Sequence, residues 1–196
     1  MFQFTTYSGR PVTVQRVQTD DTVRLREFLY ALSDQTRRLR YCNGRPATPE
    51  WITIEAKRMA SGHQWPHITL LATIEEQGEQ EIIAVAELVV DRQLPSQADV
   101  AFVIADKLQG EGVGTQLAVR LVDIAQTVGV NRLCADLLAE NQAMKRLLHH
   151  MGRVHTLSVS YGEIQALVHL ASTTTEVRTP TRAYGNENMT LIWANG

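Results

Sequence analysis

Cysteine is nearly absent. Cys42 and Cys134 are the only two in 196 residues, too few for a disulfide framework. Stability must therefore come from a packed core, and both thiols are expected buried and reduced, as in a cytoplasmic protein. Long apolar runs are missing as well. The longest, such as IIAVAELVVD, fall far short of the ~20 residues a membrane helix needs. The opening MFQFTTYSGRPVTVQRV lacks a basic stretch followed by an apolar core, so no secretory leader is read. Nor does charge of one sign dominate: 19 Lys and Arg stand against 21 Asp and Glu, which offers no basic field for nucleic acid. What remains, 44% apolar and 20% charged, is an ordinary globular composition with enough apolar residues for one domain core.

Local patterns then divide the chain. FQFTTYSGRPVTVQRV reads as a hairpin turning at Ser8-Gly9. A helix is expected over about 21–32, with Val23, Phe28, Leu29 and Leu32 on one face. ALSDQTRRLRYCNGRP follows as a loop or short helix. Thr48-Pro49-Glu50 opens another helix running to about Ala60, its proline where a missing N–H costs nothing. Three β-rich runs come next: 67–75, 81–91 and 98–105. After a glycine-rich loop, 113–129 has helical periodicity, with Leu117, Leu121, Ile124, Ala125 and Val128 inward and Gly129 as its stop. RLCADLLA (132–139) is a nearly uniform apolar strand, as expected when both faces are covered. A helix from Asn141 to Met151, closed by Gly152, leads to a final hairpin. The order is β-α-α-β-β-β-loop-α-β-α-β-β, with one parallel crossover at the glycine loop: an α/β fold with a mixed, mostly antiparallel sheet. The domain is drawn at 1–171. The tail, 172–196, is polar until MTLIW, which is read either as an added edge strand or as a contact with a second copy in a homodimer.

LQGEGVGTQL packs three glycines into five positions and runs straight into a helical pattern. Glycine permits positive φ and close approach of a ligand to the main chain. A helix start adds free N–H groups and the positive end of the macrodipole, which together suit an anion, phosphate above all. A Walker loop fails, because Thr115 rather than lysine follows Gly114. A dinucleotide fingerprint fails on two counts: Thr115 replaces its third glycine, and hairpin-type strands precede the loop where that fold needs its first strand.

Gln109-x-x-Gly112-x-Gly114 resembles the Q/R-x-x-G-x-G/A signature of the GNAT superfamily of N-acetyltransferases. The strand before it, the helix after it, the short buried strand and ENQAMKRLLHHMG reproduce that superfamily's layout. SGRPVTVQRVQTDD, LSDQTRRLRY, ADVAFVIADKLQGEGVG and YGEIQALVHL further resemble the acetyltransferase domain of bacterial protein lysine acetyltransferases. The resemblance implies a GNAT fold and transfer of an acetyl group from acetyl-CoA to a primary amine, with no metal. The acceptor would be a protein lysine or a small-molecule amine. A degenerate relative would instead bind acyl-CoA as a sensor or interaction domain.

A lysine amine, with a reference pKa of about 10.4, is protonated at neutral pH, so the site must remove a proton. The position matching the family's strand glutamate is Asp99, and Glu87, interrupting an apolar strand, is the reserve base or else pairs with an arginine of 37–45. A backbone N–H around Val103 or Ile104 would polarise the thioester, and the same extended segment would pair with the pantetheine arm. Gln109, Gly110, Gly112, Val113, Gly114 and Thr115 would hold the pyrophosphate, and Asn141 the CoA arm. One departure stands out: Leu148 occupies the position of the family's tyrosine that reprotonates the leaving thiolate. Arg37, Arg38, Arg40 and Arg45 are read as contacts to the adenosine 3′-phosphate or an acidic substrate, or else as a solvated face. His63 and His67 lie in a segment too irregular for paired metal ligation.

Overall fold

The computed structural model describes residues 1–42, 47–76 and 78–171. The tail 172–196 and Arg45 therefore lie outside the described residues. Eight strands form one sheet in the order β1-β2-β3-β4-β5-β6-β8-β7. They are β1 (Phe2–Thr5), β2 (Pro11–Arg16), β3 (His67–Glu76), β4 (Glu79–Val90), β5 (Gln97–Ile104), β6 (Arg132–Leu138), β7 (Arg153–Ser160) and β8 (Glu163–His169). Every neighbouring pair is antiparallel except β5 and β6. The helices are α1 (Thr22–Ala31), α2 (Asp34–Tyr41), α3 (Pro49–Ala60), α4 (Val113–Thr127) and α5 (Gln142–Met151).

Alternation along the central strands sends side chains to two cores. Leu70, Ala72, Ala84, Ala86, Val100 and Phe102 meet Leu117 and Leu121 of α4 and Leu147 and Leu148 of α5. On the other face Leu71, Val85 and Val103 pack with Leu25 and Leu29 of α1 and Ile52 and Met59 of α3. Leu117 and Leu121 have no exposed surface, and each such burial is worth about 2 kcal/mol.

Two helix faces differ from the sequence expectation. Val23 is 53% exposed, and Leu25 takes its place inside. Leu25, Phe28, Leu29 and Leu32 follow the i, i+3, i+4, i+7 rule, whereas Val23 lies two residues off that stripe. Val128 is exposed because α4 ends at Thr127, with Val128 as its cap and Gly129 at φ +87°. Cys134 is buried, while Cys42 is only partly so.

The feature that positions the site is a fork. β5 and β6 pair in register only over Gln97–Asp99 and Arg132–Cys134. Beyond that point they part, with α2 lying across both strands on one side and α4 with α5 on the other.

Candidate active site

The glycine loop joins β5 to α4 beside the fork. Gly110 and Gly112 have φ of +80° and +82°, the left-handed region that other residues enter at a cost. The first bond of α4 runs from Gln116 N–H to the Gly112 carbonyl at 3.2 Å. Helix geometry leaves the amides of Val113, Gly114 and Thr115 without intrahelical acceptors. The β1–β2 turn closes over the loop: Tyr7 N–H donates to the Glu111 carbonyl at 3.2 Å, and Ser8 N–H donates to the Glu111 carboxylate at 2.8 Å.

A cavity of roughly 340 Å³ opens here, and all nine residues expected to hold the cofactor line it. Val103 and Ile104 come from β5, Gln109 to Thr115 from the loop and α4, and Asn141 from the start of α5. Asn141 also caps α5, its Oδ1 accepting from Met144 N–H at 3.0 Å. Gln109 turns its side chain inward, donating to the Thr36 hydroxyl at 3.0 Å and the Ile104 carbonyl at 3.2 Å. Its contribution to an anion would thus come from the main chain. The pairing of Ala105 N–H with the Ile83 carbonyl at 2.8 Å fixes the phase of the β4–β5 ladder. Antiparallel alternation then directs the Val103 amide at β4 and the Phe102 and Ile104 amides into the fork.

Asp99 and Glu87 meet in a second cavity of roughly 290 Å³. Asp99 lies opposite Val89, and Glu87 opposite Ala101, on one face of the sheet. The two carboxylates differ in kind. Glu87 is 3% exposed and accepts from Arg40, from Arg58 at 2.8 Å and from His67 Nε2 at 3.0 Å. Burial pushes its carboxyl up, but the His67 hydrogen bond and the Arg40 and Arg58 charges outweigh that and hold it far below the usual carboxylate range. Asp99 is exposed and, among the described residues, has no hydrogen-bonded or ionic partner. Partial burial, then the Asp136 and Asp91 charges, raise its pKa above the ordinary aspartate value.

The acetyltransferase (GNAT) domain profile matches residues 12–154. The chain belongs to the GNAT acetyltransferase family. The GNAT fold expected from the glycine loop and element order is the one observed. The Pat acetyltransferase of Mycolicibacterium smegmatis is 37% identical over 73 residues, 37% of this chain and 22% of that protein. An acetyltransferase of Pseudomonas aeruginosa is 27% identical over 147 residues, 74% of this chain and 76% of that protein. The GNAT domain of S. lividans PAT superposes with a TM-score of 0.70 at 22% identity, covering 86% of this chain and 96% of that one. A Salmonella typhimurium acetyltransferase solved with acetyl-CoA superposes at 0.58 with 18% identity, covering 83% and 96%.

Within this GNAT domain, Leu148 is 1% exposed and belongs to the α4–α5 core. Neighbouring Met144 and Leu147 face the cofactor cavity instead. The arginine cluster is largely committed inside the protein. Arg37 donates to the Leu29 carbonyl at 3.2 Å and to Asp34 at 2.6 Å, Arg38 pairs with Glu140, and Arg40 pairs with Glu87. His63 Nδ1 lies 2.8 Å from the Ala60 carbonyl, whereas His67 bonds Glu87. Sequence reasoning missed Tyr7, Thr36, Arg146 and His150 in the cofactor cavity, and Glu55, Arg58 and Tyr41 in the second. The i, i+4 spacing of Arg146 and His150 was the available signal for a basic stripe on α5.

Proposed function

We propose that this domain acetylates a cationic primary amine, the lysine side chain of a protein, entering through the cavity that holds Asp99. The observation that carries the reading is the contrast between its carboxylates. Glu55 and Glu87 are neutralised by Arg58 and Arg40, while Asp99 has no ionic partner among the described residues. An unpaired carboxylate attracts an ammonium group and, with its raised pKa, is closer in proton affinity to the task of a base. β5 carries residues 99–101 to this cavity and 102–104 to the cofactor cavity, so one strand presents base and thioester to each other. Similarity to Pat and to the S. lividans PAT domain supports a protein acceptor. The free thiols of Cys42 and Cys134 support a reducing, cytoplasmic setting.

The residues present fit acetyl-CoA, which supplies the acyl thioester. Val113, Gly114 and Thr115, whose amides lack intrahelical acceptors, line the cavity, where a pyrophosphate suits a helix start. The Phe102 and Ile104 amides are free to pair with the amide-bearing arm or to polarise the thioester carbonyl. Asp99 takes a proton from the amine, directly or through one water. Glu87, held ionised by two arginines and a histidine, has little affinity for a proton and serves to fix its neighbours.

The test is release of free thiol from acetyl-CoA by the purified protein, alone, with small amines and with a protein extract. Release dependent on protein lysines is expected. Release with small amines only would assign a small-molecule acceptor, and binding without release in any mixture would assign a sensor. Asp99→Asn should bind acetyl-CoA normally and lose roughly 10²–10⁴-fold in turnover. The acid limb of the pH–rate profile should lie above an ordinary aspartate pKa, because Asp99 must be ionised to act. Asp136→Asn should move that limb to lower pH by removing a neighbouring negative charge.

A further inference from the structure

Among the described residues, Arg40 is the single residue that lines both the cofactor cavity and the Asp99 cavity. It sits on the last turn of α2, with 15% of its side chain exposed and its guanidinium 4.9 Å from the centre of the Tyr41 ring. One end of the guanidinium is fixed by Glu87. Its Nε–H is buried and has no acceptor among the described residues. A buried donor left unmade is costly, and natural proteins rarely carry one without use.

The cluster around it is balanced, two arginines against two glutamates, and what stays open is a donor on Arg40. Arg58 of α3 bridges Glu55 of α3 and Glu87 of β4, and His67 of β3 bonds Glu87 as well. Glu87 is therefore shared among three donors, and it engages Arg40 through one terminal nitrogen, leaving Nε–H unpaired. Asp99 of β5 is the remaining carboxylate in the same cavity. An acceptor that arrives with the reactants would satisfy Arg40 Nε–H.

Acyl transfer creates such a group. The amine nitrogen forms its bond to the acyl carbon, and the pair of the breaking C–S bond leaves on sulfur as a thiolate. Of the two protons the ammonium gives up, one passes to Asp99 and the other to solvent. The acyl carbon must lie where the two cavities meet, so sulfur lies one bond to the cofactor side of that junction. Met144 and Leu147 of α5, which line the cofactor cavity along with Arg146 and His150, have no proton to give, and Leu148 is in the core. We infer that Arg40 stabilises the departing thiolate through its Nε–H and its charge, and that Glu87, with Arg58 and His67 behind it, is the positioning group that aims it. This role rests on the acetyl-transfer reading and adds a residue to it.

The experiment titrates the thiol of coenzyme A bound to the protein, following the ultraviolet absorbance of the thiolate, beside calorimetric measurement of coenzyme A affinity. In the wild-type complex the thiol is expected to ionise at least one unit below the ~8.5 of an ordinary thiol, as a nearby cation dictates. Arg40→Gln should return it to the free value and lower kcat roughly tenfold or more, with KM for acetyl-CoA within about threefold of wild type. Arg40→Lys should keep most of the shift. An unshifted thiol in the wild-type complex, or a shift that survives Arg40→Gln, would overturn the assignment. Should Arg40→Gln not fold, Arg40→Lys decides: a folded lysine variant with an unshifted thiol sinks the proposal. Absence of coenzyme A binding by the wild-type protein would sink the acetyl-transfer reading itself. Normal binding with an unshifted thiol would sink only the role of Arg40.

Discussion

Gly112 and Gly114 stand two residues apart in the same loop, yet their backbones ask for different things. A Cβ on Gly112 would lie 3.0 Å from the Tyr7 ring, at a φ of +82°. A Cβ on Gly114 would meet Ile104 and Leu147 at 3.6–3.9 Å, which is ordinary contact. Gly112→Ala should therefore cost about 1–2 kcal/mol of stability from the left-handed backbone alone and weaken coenzyme A binding. Gly114→Ala should leave both nearly unchanged. Denaturant midpoints and calorimetry on the two variants check this. Residues of this kind were legible in the sequence, because glycine spacing reports backbone needs directly. Arg40 was legible only in part: an ion pair between Glu87 and an arginine of 37–45 was readable, but not which arginine, because the two lie 47 positions apart and only the sheet brings the carboxylate beneath α2.

Helix α2 shows why a short element is harder to read than a long one. Eight residues of which three are arginine have little apolar periodicity, and a helix of that length is not stable by itself. Its start is fixed from outside. Ser33 Oγ accepts from Thr36 N–H at 3.2 Å. Asp106, after β5, accepts from Ser33 N–H at 2.9 Å, Ser33 Oγ at 2.6 Å and Thr36 Oγ1 at 2.7 Å. Burial pushes the Asp106 carboxyl up, but these bonds outweigh it and keep its pKa below the ordinary value. Asp106→Ala should loosen α2 and the glycine loop together, since Gln109 also bonds Thr36. Faster amide exchange over 33–41 and 106–112, with a loss of roughly 1–3 kcal/mol, is the expected result. Unchanged exchange in α2 would show that the helix holds without this anchor. The longer elements α3, α4 and α5 needed no such help, and their caps at Thr48, Gly112 and Asn141 were visible as residue types.

At the scale of the whole molecule Glu87 ties the central strand to α2, α3 and β3 at once. Removing its charge leaves the largely buried Arg40 without its partner, while the more exposed Arg58 keeps Glu55, and breaking a buried pair costs about 3–5 kcal/mol. Glu87→Gln should lower the thermal midpoint accordingly. The pH dependence follows from the direction of the shift. A carboxylate whose folded pKa lies below its unfolded value of about 4.3 contributes stability above that value and loses it as pH falls through the folded one. The wild-type protein should thus weaken steeply below about pH 4, and Glu87→Gln should show a shallower acid slope. Equal slopes in the two proteins would assign the acid transition to other carboxylates. The strand order and single crossover were readable from turn residues and apolar runs, but the depth of the β5–β6 pairing was not. No local pattern says where two parallel strands let go of each other.

That short pairing has a mechanical meaning. The strands β1–β5 and β6–β8 form two plates joined along a seam three residues long, at Gln97–Asp99 and Arg132–Cys134. A hinge so narrow resists bending only weakly, and the free edges above it, near Phe102 and Leu138, diverge like a split board. Whatever enters between those edges acts as a splint. Its arrival should stiffen the molecule across its full width, so that amides in β7 and β8, far from the glycine loop, exchange more slowly once the split is filled.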